Sequence, residues 1–395
     1  VSKVHQNFKC KEFMRCQFTD LSEKPQTKAA SRKFANERRR SAARNPVLIG
    51  VKVAFGRRIC VKMVEANGIE LTEQEAELYD RQIRLWGLDS QKRLRAARIL
   101  IAGLNGLGAE IAKNIILSGV KAVTLLDDQL VKESDFCSQF LAPQTALGTN
   151  RAEASLGRAQ HLNPMVELKA DTEKLADKTD DYFKGFDVVC IIGAPTEQLV
   201  RIDGVCRSAN VKFFAADLWG MFGFSFADLQ EHNFAEDVVK HKIISKPHEK
   251  TKTELVTSTV KRTLSYPAYQ AVLDFDFTAQ SYARKLKRSG PALPLLRVLQ
   301  KFRDVEGRDP LYTERDAELE KLRKIRDEIA PELVPDSALV HVFAQISPAA
   351  AIVGGAVAHE IIKTVSQKEA PHHNVFLFDP ESCCGFIETI GVADA

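Results

Sequence analysis

The chain has 395 residues, of which 45% are hydrophobic, and its net charge is +4, so it is long enough for a large core divided into two or three domains. It contains no run of eighteen apolar residues, which argues against a membrane-spanning helix; the nearest candidate, Ala349–Ile362, includes His359 and Glu360 and is predicted to be a buried helix. The eight cysteines are scattered, with no CxxC pair and no recognisable signal peptide, a pattern typical of free thiols in a reducing compartment rather than of a disulfide framework.

Residues 1–62 form a basic head that differs from the rest of the chain. They hold 16 Lys and Arg against 4 Asp and Glu and show no sustained helical or strand period. Three interpretations are open: a leader or unspliced fragment before a true start at Met63, a basic nuclear or nucleic-acid-binding tail around Arg38–Arg40, and an Arg- and Ser-rich mitochondrial transit peptide. The first is favoured, so the head is expected to be disordered or non-native and is excluded from the fold prediction.

Between residues 63 and 230 the hydrophobic pattern predicts helices that alternate with strands. The region 70–96 is predicted to be helical with an interruption at Gly87, and Ile99–Ala102 is a continuous apolar run of the kind buried in a parallel sheet. The elements predicted after it are a helix at Ala109–Leu117, a strand at Val123–Leu126, a helix at 150–162, a strand from Glu167, a strand at 187–192, a helix at 196–209 and a strand at 211–215. This order predicts the α/β class, with a doubly wound Rossmann-like sheet.

A mainly helical insertion is predicted at 231–335. Its first part, 240–260, is rich in Lys and Thr and is predicted to be a loop, within which the basic stretch 240–252 is solvated. Residues 267–334 are predicted to be largely helical because apolar residues recur at helical spacing. They form two stripes: Leu295, Val298, Leu299 and Phe302 in one, and Leu319, Leu322, Ile325 and Ile329 in the other.

Residues 336–395 return to the α/β pattern. A helix is predicted at Ala349–Ser366, followed by strands at Asn374–Phe378 and Gly385–Ile390. The sequence therefore predicts that 63–230 and 336–395 are the first and closing parts of one domain, and that the helical segment is inserted between them.

A glycine turn, Gly103-Leu-Asn-Gly106-Leu-Gly108, joins the first predicted strand to its helix, an arrangement that directs backbone N–H groups and the helix dipole towards an anion. Asp127 follows Gly108 by nineteen residues, at a strand end where an acid commonly binds ribose hydroxyls. The pattern favours a nicotinamide-dependent oxidoreductase at first sight. However, the middle glycine of the G-x-G-x-x-G pattern is replaced by Asn105, whose side chain should obstruct the pyrophosphate. A turn that only packs helix on strand is the preferred interpretation.

Several sequence blocks resemble the ubiquitin-like protein-activating (E1) family, and within it the branch that activates SUMO. The most specific is Tyr79-Asp-Arg-Gln-Ile-Arg-Leu-Trp-Gly87; the others are Ser138–Leu141, Asn150–Glu153, Leu162–Pro164 and Val353–Ile362. The resemblance covers roughly 63–393. It implies two pseudo-symmetric adenylation domains, of which the active one binds MgATP and adenylates the C-terminal glycine of the ubiquitin-like protein before a catalytic cysteine takes the acyl group.

This chain departs from the family's active half at several groups that act on ATP. Asn105 replaces a glycine, Gln129 replaces a second ribose acid, Cys137 and Ser138 replace an Asn and an Arg near the phosphates, and Ala194 stands where a magnesium-binding Asp is expected. The resemblance therefore implies the inactive half, with a degenerate loop and no functional cofactor or metal site. The insertion also lacks cysteine, so neither a catalytic thiol nor a zinc-binding CxxC pair is expected there.

Arg81 is the residue with a positive role under this resemblance. In the family, the N-terminal helix of the inactive half passes an arginine into the active half's ATP site, and Arg81 matches that position. A guanidinium is permanently charged and forks onto phosphate oxygens. The residues alone favour a surface arginine that pairs with Glu77 at i,i+4 spacing, and Arg84 is a weaker candidate for the same role.

The resemblance implies an obligate heterodimer with a larger catalytic E1 subunit that holds MgATP. It further implies that SUMO is engaged mainly through the heterodimer, that neither nucleic acid nor membrane is a partner, and that the protein is nuclear, with the cytoplasm as a second location. The alternatives are an E1 subunit for another ubiquitin-like protein such as NEDD8, the nicotinamide-dependent oxidoreductase, a homodimeric bacterial-type adenylating enzyme, and an interaction protein without ATP contact.

Overall fold

The computed structural model describes residues 71–243, 253–276, 279, 282, 290–379 and 381–391. The chain divides into two units, Val1–Gly68 and Ile69–Ala395, and every described residue belongs to the second. The predictions for the basic head, including a start at Met63, therefore lie outside the described residues. So do Lys246, Lys250 and Lys252 of the basic stretch.

The described residues contain ten strands and twelve α-helices, in alternation over the first half of the fold. The strands are β1 (Arg98–Ala102), β2 (Ala122–Leu126), β3 (Glu167–Asp171), β4 (Val188–Ile192), β5 (Lys212–Trp219), β6 (Phe222–Asp228), β7 (Glu231–Ile243), β8 (Thr253–Ser265), β9 (Val375–Asp379) and β10 (Cys384–Glu388). The helices are α1 (Glu73–Leu78), α2 (Asp80–Trp86), α3 (Leu88–Ala96), α4 (Gly106–Leu117), α5 (Arg151–Leu162), α6 (Asp180–Phe183), α7 (Thr196–Ser208), α8 (Gln270–Leu273), α9 (Ala292–Glu306), α10 (Arg315–Ile329), α11 (Asp336–Leu339) and α12 (Ser347–Ser366).

Eight of these strands form one sheet in the order β10-β9-β6-β5-β4-β1-β2-β3. The five strands from β3 to β5 are parallel, whereas β6, β9 and β10 each run antiparallel to the preceding neighbour. The direction of winding reverses between β1 and β4, and the carboxyl ends of two such strands border the crevice in which doubly wound sheets bind ligands. The predicted Rossmann-like sheet is confirmed, and the glycine turn lies at this crevice.

Alternate residues of the central strands point into two separate core clusters. On one face, Ile99 and Ile101 of β1 pack with α4 and α12; on the other, Leu100 and Val189 pack with α7 and α9. The two predicted stripes of the insertion face this second cluster, and they are buried at Leu295, Val298, Leu299, Phe302, Leu319 and Leu322 and partly buried at Ile325 and Ile329. The helices α9 and α10 therefore complete the cover over one face of the sheet, because strands buried on both faces need helices on both.

Among the described helices, α12 is long and apolar enough, by length and composition, to cross a membrane. In the fold it packs against α4, with Val353, Val357 and Ile361 buried. Contact is so close that a Cβ at Gly354 would collide with the side chain of Glu110. The prediction of a buried helix ending at Ser366 is confirmed, and its observed start at Ser347 is two residues earlier than predicted.

The prediction of a loop at 240–260 is wrong where the structure describes it. The strands β7 and β8 have thirteen residues each and pair antiparallel along their whole length, from Glu231 opposite Ser265 to Ile243 opposite Thr253. In the outer part, the side chains whose burial is described are exposed or half-buried on both faces, so the polar and apolar residues there do not alternate as they do in a half-buried strand. Lys240 and Lys242 consequently lie on a strand. We call β7 and β8 together the β-ribbon.

Candidate functional site

The glycine turn follows β1 and is packed closely against its neighbours. The Gly103 N–H donates to Leu126 O at 2.8 Å, and Gly103 has a φ of +97°, a conformation that favours glycine. A Cβ at Gly108 would collide with Gly103 O, so this glycine lets the helix start approach the turn. Gly106 is the first residue of α4 and packs against Ser138.

Asn105 caps α4 with its own side chain. Its backbone is extended, with φ −67° and ψ −171°, and its Oδ1 accepts a hydrogen bond from the Gly108 N–H at 3.0 Å. A helix start has four amides without intrahelical partners, and these are the donors that a bound phosphate would use. Here an amide of that set is satisfied within the chain, and the asparagine side chain lies over the helix end.

Asp127, the predicted ribose acid, is buried and surrounded by donors from its own chain. Its Oδ2 accepts from the Leu104 N–H at 2.6 Å and from Arg151 Nη1 at 3.1 Å, and its Oδ1 accepts from the Gln129 N–H at 2.8 Å. Arg151 also contacts Asp135 through Nε at 3.3 Å. The carboxylate is thus neutralised by a buried guanidinium, an arrangement that fixes the turn and leaves little capacity for ribose hydroxyls.

The segment after β2 closes over the turn through Gln139, which the sequence interpretation did not single out. The buried Gln139 Nε2 donates to Leu104 O at 3.0 Å and to Ser155 Oγ at 2.8 Å. Its Oε1 accepts from the Leu141 and Ala142 N–H groups at 2.6 and 3.0 Å. All four capacities of this amide are used, which is the condition under which a buried polar side chain stabilises a fold. Its place inside the E1-like block Ser138–Leu141 was the signal available in the sequence.

No carboxylate follows β4 at the position predicted for a magnesium ligand. Ala194 is buried there, and its carbonyl oxygen accepts from Arg303 Nη1 at 3.3 Å. The Arg303 guanidinium, from α9, binds both carboxylate oxygens of Asp217 at 2.9 Å. It also contacts Asp309 and lies 4.7 Å from the centre of the Trp219 ring. A permanent cation from the insertion therefore occupies this end of the sheet, and the residues that the structure describes contain no cluster of three potential metal ligands.

Burial affects the acid in this pair strongly. Asp217 lies wholly inside the fold, and burial raises the pKa of its carboxyl to about 6 even though Arg303 and the Gly193 N–H act in the opposite direction. A buried ion pair of this kind is costly to form and much more costly to leave half-paired. It joins β5 to the helical insertion, a long-range contact that no local sequence pattern predicts.

Arg81 projects from α2 into solvent. Within the described part of the chain it makes no hydrogen bond or ion pair, so the pairing with Glu77 is not formed there. The weaker candidate Arg84 differs, because its Nε and Nη2 bind Asp80 at 3.1 and 3.0 Å. The predicted residue is therefore the arginine of this helix whose guanidinium is not engaged by described neighbours.

The specific block from Tyr79 to Gly87 holds this helix on the fold. Tyr79 is buried, and its hydroxyl accepts from Asn163 Nδ2 at 2.9 Å. Gln82 Nε2 donates to Leu117 O at 3.1 Å. Leu78 is 57% exposed and Leu85 is 77% exposed, three residues before and four residues after Arg81 in the sequence. Arginine is one of the residue types enriched among the hot spots of protein interfaces, so an exposed Arg81 without a described partner suits this surface to a partner.

The cysteines offer no activated thiol in the core. Cys190 and Cys206 are buried, and burial raises the pKa of the Cys190 thiol to about 12 and also raises that of Cys206. Cys137 and Cys383 are exposed and Cys384 is half-buried. Thioester chemistry needs a thiolate, and the described residues of the insertion contain no cysteine.

Comparison with known proteins agrees with the blocks that carry the resemblance. The ThiF family model matches residues 79–386. SUMO-activating enzyme subunit 1 of Xenopus tropicalis is 42% identical over 345 residues, which cover 83% of this chain and 99% of the relative. The protein of the same name from Homo sapiens is 42% identical over 344 residues, which cover 84% and 99%. The solved structure of E. coli MccB with ATP is 12% identical, with a TM-score of 0.48 over 80% of this chain and 72% of that one. The chain therefore belongs to the ThiF family and, within it, to the group of SUMO-activating enzyme subunit 1 proteins.

Proposed function

We propose that this chain is the non-catalytic subunit of a heterodimeric E1, in which a larger partner subunit adenylates SUMO and forms the thioester. The observation that carries the proposal is a contrast between two arginines. Arg151 is buried on Asp127 and closes the chain's own nucleotide crevice, whereas Arg81 is exposed without a described partner. The chain's own side chains occupy the crevice, whereas the Arg81 guanidinium is exposed to solvent.

The closed crevice supports the absence of ATP chemistry in this chain by itself. Phosphoryl and adenylyl transfer depend on positioned donors and cations around the phosphates. In this chain, Asn105 takes the Gly108 amide and Arg151 takes the Asp127 carboxylate. The same contacts count against the nicotinamide-dependent alternative, which needs the same turn for its pyrophosphate.

Arg81 is proposed to reach the partner's MgATP. A guanidinium keeps its charge at every physiological pH and can donate to two phosphate oxygens at once. Its task would be to hold the triphosphate and to stabilise the charge that shifts onto pyrophosphate as the SUMO carboxylate attacks. Leu78 and Leu85 would be covered in the heterodimer, which would exclude water around Arg81 and strengthen its interaction with phosphate.

The proposed partners are the larger E1 subunit and, through the heterodimer, SUMO rather than NEDD8. The names of the relatives support this choice of ubiquitin-like protein. Nucleic acid and membrane are not proposed as partners, and the proposed location is the nucleus, with the cytoplasm second.

The test is reconstitution with a larger E1 subunit. This chain alone should neither exchange pyrophosphate into ATP nor form a thiol-sensitive conjugate with SUMO. Mixed with the larger subunit of the SUMO branch, it should form a stable complex that does both. The matched arm uses NEDD8 and the larger subunit of the NEDD8 branch, where we expect no complex. Activity of the chain by itself, or selective pairing in the NEDD8 arm, would overturn the proposal.

A further inference from the structure

The β-ribbon joins the rest of the described structure at a short root. The chain enters it from Asp228 at the end of β6 and leaves it at Tyr266 after β8. The Tyr266 N–H donates to Gln230 O at 2.7 Å, which closes the root. A two-stranded ribbon is marginally stable on its own in water, so its contacts with the rest of the described structure, including those at its root, hold it in place.

The helix α7 holds both sides of this root. Asp203 Oδ2 accepts from the Tyr269 N–H at 2.8 Å, on the side where the chain leaves. Arg207 Nη1 pairs with Asp228 Oδ2, on the side where the chain enters, and also donates to Tyr266 O at 3.2 Å. Asp228 Oδ1 in turn accepts from the Gln230 N–H at 2.8 Å.

Two carboxyl groups meet at this point, and one guanidinium, that of Arg207, pairs with Asp228. Asp203 and Asp228 are both buried and lie within hydrogen-bonding reach of each other. Asp203 Oδ1 is buried without a donor among the described residues. Two ionised carboxylates beside Arg207 alone would leave a buried negative charge without compensation. A proton on Asp203 Oδ1 removes that charge and turns the unpaired acceptor into a donor towards Asp228.

We propose that Asp203 and Asp228 share one proton, and that this proton latches the root of the β-ribbon to α7. Burial, followed by the charge of Asp228, raises the pKa of Asp203 to about 8. Three other titratable groups lie around the pair. Burial raises the pKa of the Cys206 thiol and lowers the pKa of Lys212 in β5, and burial with the charge of Lys212 lowers the pKa of His232 in β7 to about 4.

The direction of the pH effect follows from proton linkage. Asp203 binds its proton in the closed root and releases it when the root opens to water, where an aspartate titrates near pH 4. Between roughly pH 5 and 8 the opening constant should therefore rise by about tenfold per pH unit, and it should level off above pH 8. The ribbon's second attachment, in which the Ala235 N–H donates to Gln367 O at 2.9 Å and Lys368 binds Asp237, contains no shared proton.

Hydrogen exchange of the full-length chain between pH 5.5 and 9 tests the latch. After correction for intrinsic exchange rates, the amides of Gln230, Tyr266 and Tyr269 should lose protection up to about pH 8 in the wild type. Asp203→Asn keeps the acceptor for Tyr269 and supplies a neutral donor to Asp228, so these amides should stay protected with no such slope. Asp171→Asn is the matched control, because Lys178 and Tyr182 bind that carboxylate and its pKa is lowered in spite of its partial burial; this variant should keep the wild-type slope.

Infrared spectroscopy of the wild type provides a second measurement that does not rely on a variant folding. A protonated-carboxyl band should be present at pH 7 and should disappear with a midpoint near pH 8. The inference is overturned if no carboxyl titrates near that midpoint, or if the wild type and Asp203→Asn show the same slope of protection. It is equally overturned if Asp171→Asn abolishes the slope.

Discussion

The Oδ1 atom of Asn105 accepts a hydrogen bond from the Gly108 amide at 3.0 Å, so the residue that replaces a loop glycine also caps the helix behind the loop. A glycine at this position would leave the Gly108 amide free for an anion. An asparagine at this position therefore has two effects: it occupies the Gly108 amide, which a bound anion could otherwise use, and it stabilises the start of α4.

Replacing the cap should lower stability without opening the crevice. We expect Asn105→Ala to reduce the free energy of unfolding by about 1 kcal/mol, because the Gly108 amide loses its acceptor. Asn105→Asp keeps the acceptor and adds a favourable charge at the helix start, so it should match the wild type within a few tenths of a kcal/mol. Urea denaturation of the three proteins measures the difference. An equal loss for Ala and Asp would show that the cap does not contribute.

Removing the Arg81 guanidinium should slow adenylation in the heterodimer. We expect Arg81→Ala to reduce the single-turnover rate of SUMO adenylate formation by about 10- to 100-fold, less than a typical arginine finger because magnesium and the partner's cations share the charge. Arg81→Lys should recover only part of the rate, since an ammonium keeps the charge but not the fork.

The matched control for Arg81 is Arg84→Ala on the same helix, because Arg84 is already bound to Asp80. It should adenylate at close to the wild-type rate, and so should charge reversal at Glu77. The comparison requires equal, verified heterodimer concentrations. Equal rates for wild type, Arg81→Ala and Arg81→Lys would leave Arg81 as an ordinary surface residue and this chain as a scaffold.

Breaking the buried pair between Arg303 and Asp217 should be strongly destabilising. Arg303→Met leaves the Asp217 carboxylate buried without its cation, which we expect to cost about 3–5 kcal/mol of unfolding free energy. Adding Asp217→Asn to this variant removes the uncompensated charge, so the double variant should be more stable than the sum of the single changes predicts. Chemical denaturation of all four proteins in the cycle measures the coupling. Strict additivity would mean that the two groups do not stabilise each other.

Glu318 should make the insertion sensitive to acid. Arg308 binds both of its carboxylate oxygens, at 2.8 and 2.9 Å, and holds the pKa of this glutamate down at about 2. A depressed pKa in the folded state contributes stability above the ordinary glutamate pKa, and that stability is lost as the pH falls from about 4.5 towards 2. We expect Glu318→Gln to flatten this part of the stability profile, measured by denaturation at several pH values. An unchanged slope would place the acid sensitivity elsewhere.

The strands of the sheet core were predictable because their apolar composition indicates burial on both faces. β1 and β4 are continuous apolar runs, and both are buried on two faces. The β-ribbon was missed for the opposite reason. Val239 is 54% exposed and Leu255 is 64% exposed, so these apolar residues do not mark a buried face, and long-range pairing alone makes the segment a strand.

The residues of the crevice also divide into those that could be predicted from the sequence and those that could not. Asn105 and Asp127 were predictable because their positions relative to a strand, a turn and a helix are local in sequence. Gln139 and Arg303 were not, since each acts on atoms far away in the chain: Gln139 on Leu104 O, 35 residues away, and Arg303 on Asp217, 86 residues away. No short window of sequence contains both partners of such a contact.

The filled crevice also bears on how this protein can change over generations. Asp127 is held by two backbone amides and by Arg151, so removing Arg151 alone would bury an acid without its cation before it freed a place for ribose. Replacing Asn105 by Gly alone would remove the cap of α4, and no bound phosphate would compensate for the lost stability. Each of these two single steps towards a working nucleotide site thus passes through a less stable protein. Selection acting on one substitution at a time would reject both changes, so the crevice is expected to stay closed.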